Sequence, residues 1–257
     1  MKTCRFAALV ALGIVLASVT GSADRPAAQL LLITHAAAYE HDVVRRPDSG
    51  RPSLVEQVVT DLGRQSGFTV THLQTADELA TLTPVSIRQF RAVMLFTTGS
   101  VPLPSETRRA LFEHVRSGAG FVGVHSASDT WYEVPEYAAL LGGVFNGHPW
   151  HERVQILVED SSHPATAHLG PAFWLTDEIY QFRSWSRGSV HVLLRLDPTS
   201  IAVDRGSRPD ADYALAWTRR HGGGRVFYTA LGHRPDVWAD ERFRRHLLGG
   251  ILWAMGR

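Results

Sequence analysis

Unbroken runs of apolar residues, each about one strand long, recur along the first half of the chain. Gln29 to Thr34 (QLLLIT), Ala92 to Phe96 (AVMLF) and Gly120 to Val124 are of this kind, and Phe68 to Leu73 reads as a further strand. A strand with one face in water alternates apolar and polar residues, so unbroken runs predict strands covered on both faces. Between the runs the period changes. Pro52 and Ser53 open a segment with apolar positions at Leu54, Val55, Val58, Val59 and Leu62, stopped by Gly67. That is one face of a helix with an N-cap and a terminating glycine. Pro104-Ser105 opens a second helix to about Arg116, stopped by Gly118. Residues 36 to 50 read as a polar loop carrying Tyr39, His41 and Asp42, and residues 75 to 90 as short helical or irregular pieces. The alternation predicts an α/β fold, a flavodoxin-like, doubly wound, mainly parallel sheet with helices on both faces.

The second half is richer in strands. Arg153 to Val158, Ile179 to Phe182, His191 to Leu196, Ala214 to Thr218 and Arg225 to Ala230 read as strands, with Gly222-Gly223-Gly224 as a hairpin turn. A last helix from about Asp240 to Met255 presents Phe243, Leu247, Leu248, Ile251 and Leu252 on one face. There is no internal repeat, low-complexity tract or long linker, so residues 24–257 are expected to form a single domain.

The first residues follow a different pattern. Lys2 and Arg5 precede an apolar run from Phe6 to Val19, and Gly21-Ser22-Ala23 offers small residues for cleavage. Residues 1–23 therefore read as a secretory signal peptide cut after Ala23, which predicts a periplasmic or secreted protein. The run is too short for a comfortable span, so no stable membrane insertion is expected after cleavage.

Cleavage also changes the accounting. Without Lys2 and Arg5, 24 basic residues face 25 acidic ones, a net charge of about −1. That balance gives no electrostatic case for nucleic acid. Cys4 and Lys2 are the only cysteine and lysine, so the mature chain has neither. Disulfides, thiolate ligands, a cysteine nucleophile and Schiff-base chemistry are excluded, and no nucleotide cofactor is indicated. Histidine, carboxylate, arginine and hydroxyl remain, and the chain has 13 histidines.

The segment FVGVHSASDTW, residues 121 to 131, concentrates this chemistry. A buried strand breaks at small residues and presents His125, as a nucleophile elbow presents its nucleophile. Ligands of open parallel sheets bind beyond the carboxyl ends of the strands. His35, His125 and His233 each follow an apolar strand, and Thr98 follows another. His148 and His151 lie in the Gly/Pro-rich stretch FNGHPWHE, and the acidic pair Asp177-Glu178 stands at a strand mouth, placed to orient a histidine or accept a sugar hydroxyl. Histidines with carboxylates suit Zn, Mn or Fe, and neutral imidazoles suit substrate hydrogen bonds equally. Tyr39 lies in the loop after the first strand; Trp131, Tyr132, Trp150, Tyr180, Trp185 and Trp238 fall in or near the other loops, where aromatic faces stack on sugars or lid the core. His163 and His168 read as structural, and His72, His114, His191, His221 and His246 carry no assigned function.

The segments LFTTG (95–99), GAGFVGVHSASDTW (118–131), LLGGVFNGHP (140–149), His163-Pro164, DEIYQF (177–182) and GRVFYTALGH (224–233), followed by Trp238, resemble the ThuA-like proteins. These are a trehalose-utilisation branch of the class I glutamine amidotransferase-like superfamily. The resemblance covers about residues 30 to 255 and implies a flavodoxin-like sheet and a part in carbohydrate catabolism, on trehalose-type sugars or their keto derivatives. His125 stands where amidotransferases carry their cysteine, so glutamine hydrolysis is not expected. The expectation is an enzyme acting on a keto-glycoside or glycoside, a hydrolase, lyase or isomerase, with a non-catalytic sugar-binding envelope module as the alternative. Its catalytic residues would be His125, His233 and Glu178. Tyr39, Thr98, Trp131, Trp150 and Tyr180 would bind the saccharide. His35, His148 and His151 would hold one divalent metal, Zn, Mn or Fe. The oligomeric state stays open, a homo-oligomer included.

Overall fold

The structure is a computed structural model and describes residue 1 and residues 27–48 and 50–257. Apart from residue 1, the proposed leader and its cleavage site lie outside these residues.

Eleven strands and six helices follow one another along the described residues. The strands are β1 (Ala28–Ile33), β2 (Phe68–Leu73), β3 (Ala92–Leu95), β4 (Gly120–Val124), β5 (Val144–Phe145), β6 (Trp150–Val158), β7 (Ala172–Ile179), β8 (Phe182–Arg183), β9 (His191–Leu196), β10 (Ala214–His221) and β11 (Gly224–Thr229). The helices are α1 (Leu54–Ser66), α2 (Ala76–Ala80), α3 (Ser105–Arg116), α4 (Pro135–Leu141), α5 (Pro235–Ala239) and α6 (Glu241–Met255). Nine strands form one sheet in the order β2-β1-β3-β4-β11-β10-β9-β6-β7, and β5 pairs with β8 beside it.

The sheet has two halves. From β2 to β11 every pairing is parallel, and the strand order is the flavodoxin one. β1, β3 and β4 are buried along nearly their whole length, as their unbroken apolar runs require. From β11 outwards through β10, β9, β6 and β7 every pairing is antiparallel. The triple glycine makes the predicted hairpin between β10 and β11. Two differences from expectation stand out: the short β5–β8 pair was not read from the sequence, and β7 is displaced. β7 covers 172–179, where the sequence pattern placed a strand over 179–182. Its Thr176-Asp177-Glu178 stretch breaks the apolar run, yet Asp177 and Glu178 are buried because polar partners receive them.

Helices cover both faces of the parallel half. Gly120 and Gly123, on opposite faces of β4, show how closely. A Cβ at Gly120 would lie 2.6 Å from the Ala254 carbonyl oxygen of α6, and one at Gly123 2.8 Å from Leu141 of α4. α1 is held by a capping box, in which the Ser53 hydroxyl accepts the Glu56 N–H and the Glu56 carboxylate accepts the Ser53 N–H. The same buried carboxylate pairs with Arg46 at 2.6 Å, tying the loop after β1 to the helix that follows. Among the described residues no helix is long and apolar enough to cross a membrane.

Candidate functional site

The exits of β1, β4 and β11 lie at one end of the parallel half, and β7, running the same way, ends beside them. His125 is the first residue after β4. Its backbone has φ +46°, a left-handed conformation that side chains with a Cβ rarely adopt. Two hydroxyls hold it there, with Ser128 and Tyr228 both donating to the His125 carbonyl. The turn puts the imidazole, fully buried, beneath the cleft.

The hydrogen bonds of that ring decide its tautomer. Nδ1 lies 2.6 Å from the Ala230 carbonyl oxygen, which can only accept. Nδ1 therefore carries the proton, and in the neutral ring Nε2 is a bare lone pair. That lone pair faces Glu178 Oε2 at 3.4 Å and has no hydrogen-bond partner among the described residues. Glu178 Oε2 also lies 3.2 Å from His233 Nδ1, another buried nitrogen without a partner. His41 completes the group, its ring 4.9 Å from that of His125 and 5.1 Å from that of His233. One donor atom from each of His41, His125, Glu178 and His233 falls within 4.8 Å of the others.

The electrostatics follow from this packing. Burial would raise the Glu178 carboxyl, but His125 and His233, when each carries a proton on the nitrogen facing it, outweigh this and hold it well below the usual carboxylate range. Burial would lower His233, and Glu178 outweighs that and raises it. His41 is pushed down to about 3 by burial, with His125 and His233 adding to the effect. Burial raises Asp129, which accepts the Tyr132 hydroxyl at 2.5 Å, and raises Tyr180 well above its ordinary value.

The donor set fits a divalent cation. Tetrahedral bonds of 2.0–2.1 Å place neighbouring ligand atoms about 3.3 Å apart, and the two Glu178–imidazole distances are 3.4 and 3.2 Å. Three imidazoles with one carboxylate suit Zn, Mn or Fe. Two acceptors facing each other in a buried place need a cation or a proton between them.

The proposed catalytic residues His125, His233 and Glu178 thus meet at one point. His41, read from the sequence only as part of a polar loop, joins them, and His35 does not. His35 Nδ1 is bonded to the Gln74 carbonyl at 2.6 Å beside β2. The loop that carries His41 folds back over the sheet because Thr98 holds it, its hydroxyl donating to the Tyr39 carbonyl and its carbonyl accepting the Ala37 N–H. Thr98 is buried by this and supports the loop. His148 and His151 sit at the rim, outside the group of four. His148 Nδ1 lies 3.3 Å from Glu178 Oε1, and the His151 ring is 5.0 Å from that of His233.

The aromatic expectations divide. Tyr39 is 61% exposed and lines, with Asp42, His151, His233, Arg234 and Pro235, a cleft of about 200 Å³ beside the cluster. Tyr180 is buried with its ring 4.2 Å from that of His125. Trp131 and Trp150 are corrections. Both are core residues, their indole N–H groups donating to the Val101 and Ala202 carbonyls, so neither offers a face to a sugar.

A family model described as ThuA, trehalose utilisation, matches residues 43–254. The chain belongs to the ThuA family. Among solved structures, a ThuA-like protein from Bacteroides uniformis is 22% identical with a TM-score of 0.71, covering 93% of this chain and 95% of that one. A ThuA-like protein from Parabacteroides merdae is 20% identical with a TM-score of 0.70, covering 90% of each chain. A β-galactosidase from Bacillus circulans sp. alkalophilus is 12% identical with a TM-score of 0.51, covering 87% of this chain and 31% of that one. At these identities the structural likenesses show the ThuA fold alone. No curated protein matches the chain.

Proposed function

We propose that this ThuA protein is a metal-dependent enzyme of carbohydrate catabolism acting on a keto-glycoside or a trehalose-type sugar. The observation that carries the reading is the bare His125 Nε2 lone pair facing the Glu178 carboxylate at 3.4 Å, with His233 and His41 around them. His41, His125, Glu178 and His233 would hold one Zn, Mn or Fe ion. When bound, such an ion polarises a carbonyl or hydroxyl oxygen of the substrate. The chain supplies the rest. The Glu178 oxygen turned away from the cluster, Oε1, or the rim imidazole of His148 beside it moves the proton. Tyr39 and the other cleft residues seat the sugar, and the buried surroundings strengthen each charge interaction. Glutamine hydrolysis has no support, because no cysteine stands at the β4 turn. The binding-module alternative drew on exposed tryptophans, and Trp131 and Trp150 are buried.

Export belongs to the proposal as well. The basic start, the apolar run and the small residues before Ala23 support a periplasmic or secreted location. Amino-terminal sequencing of protein from the envelope fraction should read from Asp24, and a chain retaining Met1 in the cytoplasm would overturn this part.

The enzymatic reading is tested by incubating purified protein with 3-keto-glycosides and trehalose-type disaccharides, with and without a chelator. Product formation is expected, lost on chelation and restored by Zn, Mn or Fe. Saccharide binding without product in every metal form would overturn it in favour of a binding module.

A further inference from the structure

β7 and β11 are separated in the sheet by β6, β9 and β10, so no backbone ladder fixes Glu178 relative to His233. One side chain does. Asp177 precedes Glu178 on β7 and is fully buried. Neighbouring residues on a strand point to opposite faces, so the two carboxylates reach different targets. Asp177 Oδ2 accepts the Gly232 N–H at 2.7 Å, and Oδ1 accepts the Arg234 N–H at 3.3 Å. The residue between those two donors is His233. Gly232 has φ +117°, a conformation that only glycine adopts readily, so ordinary chain preferences do not set this turn. A buried carboxylate bonded through both oxygens to one turn makes charge-assisted bonds that are costly to break.

We propose that Asp177 is a positioning residue, clasping the turn that carries His233 so that His233 and Glu178 are preset to receive one cation. The inference rests on the metal reading above. Asp177 touches neither cation nor substrate; it acts through the Gly232 and Arg234 amides. Removing outer partners of this kind weakens metal binding by about 10- to 100-fold.

Asp177→Asn keeps the volume and replaces one acceptor oxygen by a donor. Metal-free protein is titrated with Zn²⁺ in competition with a chelator, and the Co²⁺ absorption spectrum is recorded. Asp177→Asn should bind about 10- to 100-fold more weakly and alter the Co²⁺ spectrum. Thr166→Val serves as the control, since it removes a buried hydroxyl bond to the Asp160 carbonyl in another loop. It should lower Tm and leave affinity and spectrum unchanged. Wild-type affinity and spectrum in Asp177→Asn, or a loss no larger than in Thr166→Val, would overturn the proposal. Hydrogen exchange on the wild-type protein covers the case in which Asp177→Asn does not fold. A protected Gly232 amide in the metal-free protein supports a preset clasp, and rapid exchange overturns it. Should the wild-type protein bind no metal, the metal reading fails while the exchange result still reports on the clasp.

Discussion

His125 and His246 are built alike and do different things. Each ring is buried, and each sets Nδ1 against a backbone carbonyl, Ala230 at 2.6 Å and Ala165 at 2.9 Å. Each therefore leaves Nε2 as a lone pair without a partner. Around His125 that lone pair meets a carboxylate and two more imidazoles. Around His246 the ring meets Phe227 at 5.2 Å, and among the described residues no carboxylate pairs with the imidazole. A neutral buried histidine is thus an ordinary core residue until other donors converge on its free nitrogen. The strained turn after β4 and the clasp after β11 produce that convergence; α6 has no equivalent.

The sharpest way to break the comparison is to remove each ring. His125→Ala should weaken divalent-metal binding by well over about 100-fold, more than loss of an outer partner costs. His246→Ala should leave it within about twofold while lowering stability by roughly 2–4 kcal/mol, in the range of large-to-small core changes. Chelator-competition titrations and urea unfolding read both. Equal metal affinities in the two variants would remove the distinction.

Next in size are the tryptophans once expected at the sugar. Trp131→Ala should cost about 3–5 kcal/mol of stability as a core truncation. It should leave metal affinity unchanged, and a selective loss of saccharide binding without destabilisation would contradict its burial.

The pH dependence separates the two histidines again. Burial holds His246 down to about 4, so it stays neutral in the folded chain while the unfolded chain titrates near 6.5. Its contribution is fully present above about pH 6.5 and is lost as pH falls toward 4, roughly 3 kcal/mol in all. Urea unfolding between pH 7 and pH 4 should show this loss in the wild type and a shallower one in His246→Gln. His41, pushed down to about 3, adds a loss in the same direction that continues to lower pH.

The smallest effect concerns the rim. Tyr39 is exposed, so Tyr39→Ala should weaken saccharide binding only about 2- to 10-fold, in line with a single aromatic contact of 0.5–1.5 kcal/mol. Calorimetry reads this, and an unchanged affinity would remove Tyr39 from the sugar site.

Much of the parallel half was legible because burial on both faces writes itself as unbroken apolar runs, as in Leu30 to Ile33 and Phe121 to Val124. The break at His125 was legible for the same reason, as a polar residue ending such a run. The antiparallel half was harder. Asp177 and Glu178 interrupt β7, and only their distant partners, the Gly232 turn and the imidazoles, explain their burial. His41 was missed in favour of His35 because both follow β1, and Thr98 and Gln74, far along the chain, decide which ring reaches the cluster. Trp131 and Trp150 stood among turn residues and looked exposed, but each indole N–H finds a carbonyl that lets the ring sink into the core.

The central claim is that His41, His125, Glu178 and His233 hold one divalent metal, and metal stoichiometry tests it most directly. Purified wild-type protein and His125→Ala are reconstituted with Zn, Mn or Fe, freed of excess ion and analysed by elemental mass spectrometry. One equivalent of a single metal per wild-type chain, absent from His125→Ala, is the expected result. No metal above background in the wild type, or equal content in the two proteins, would contradict it.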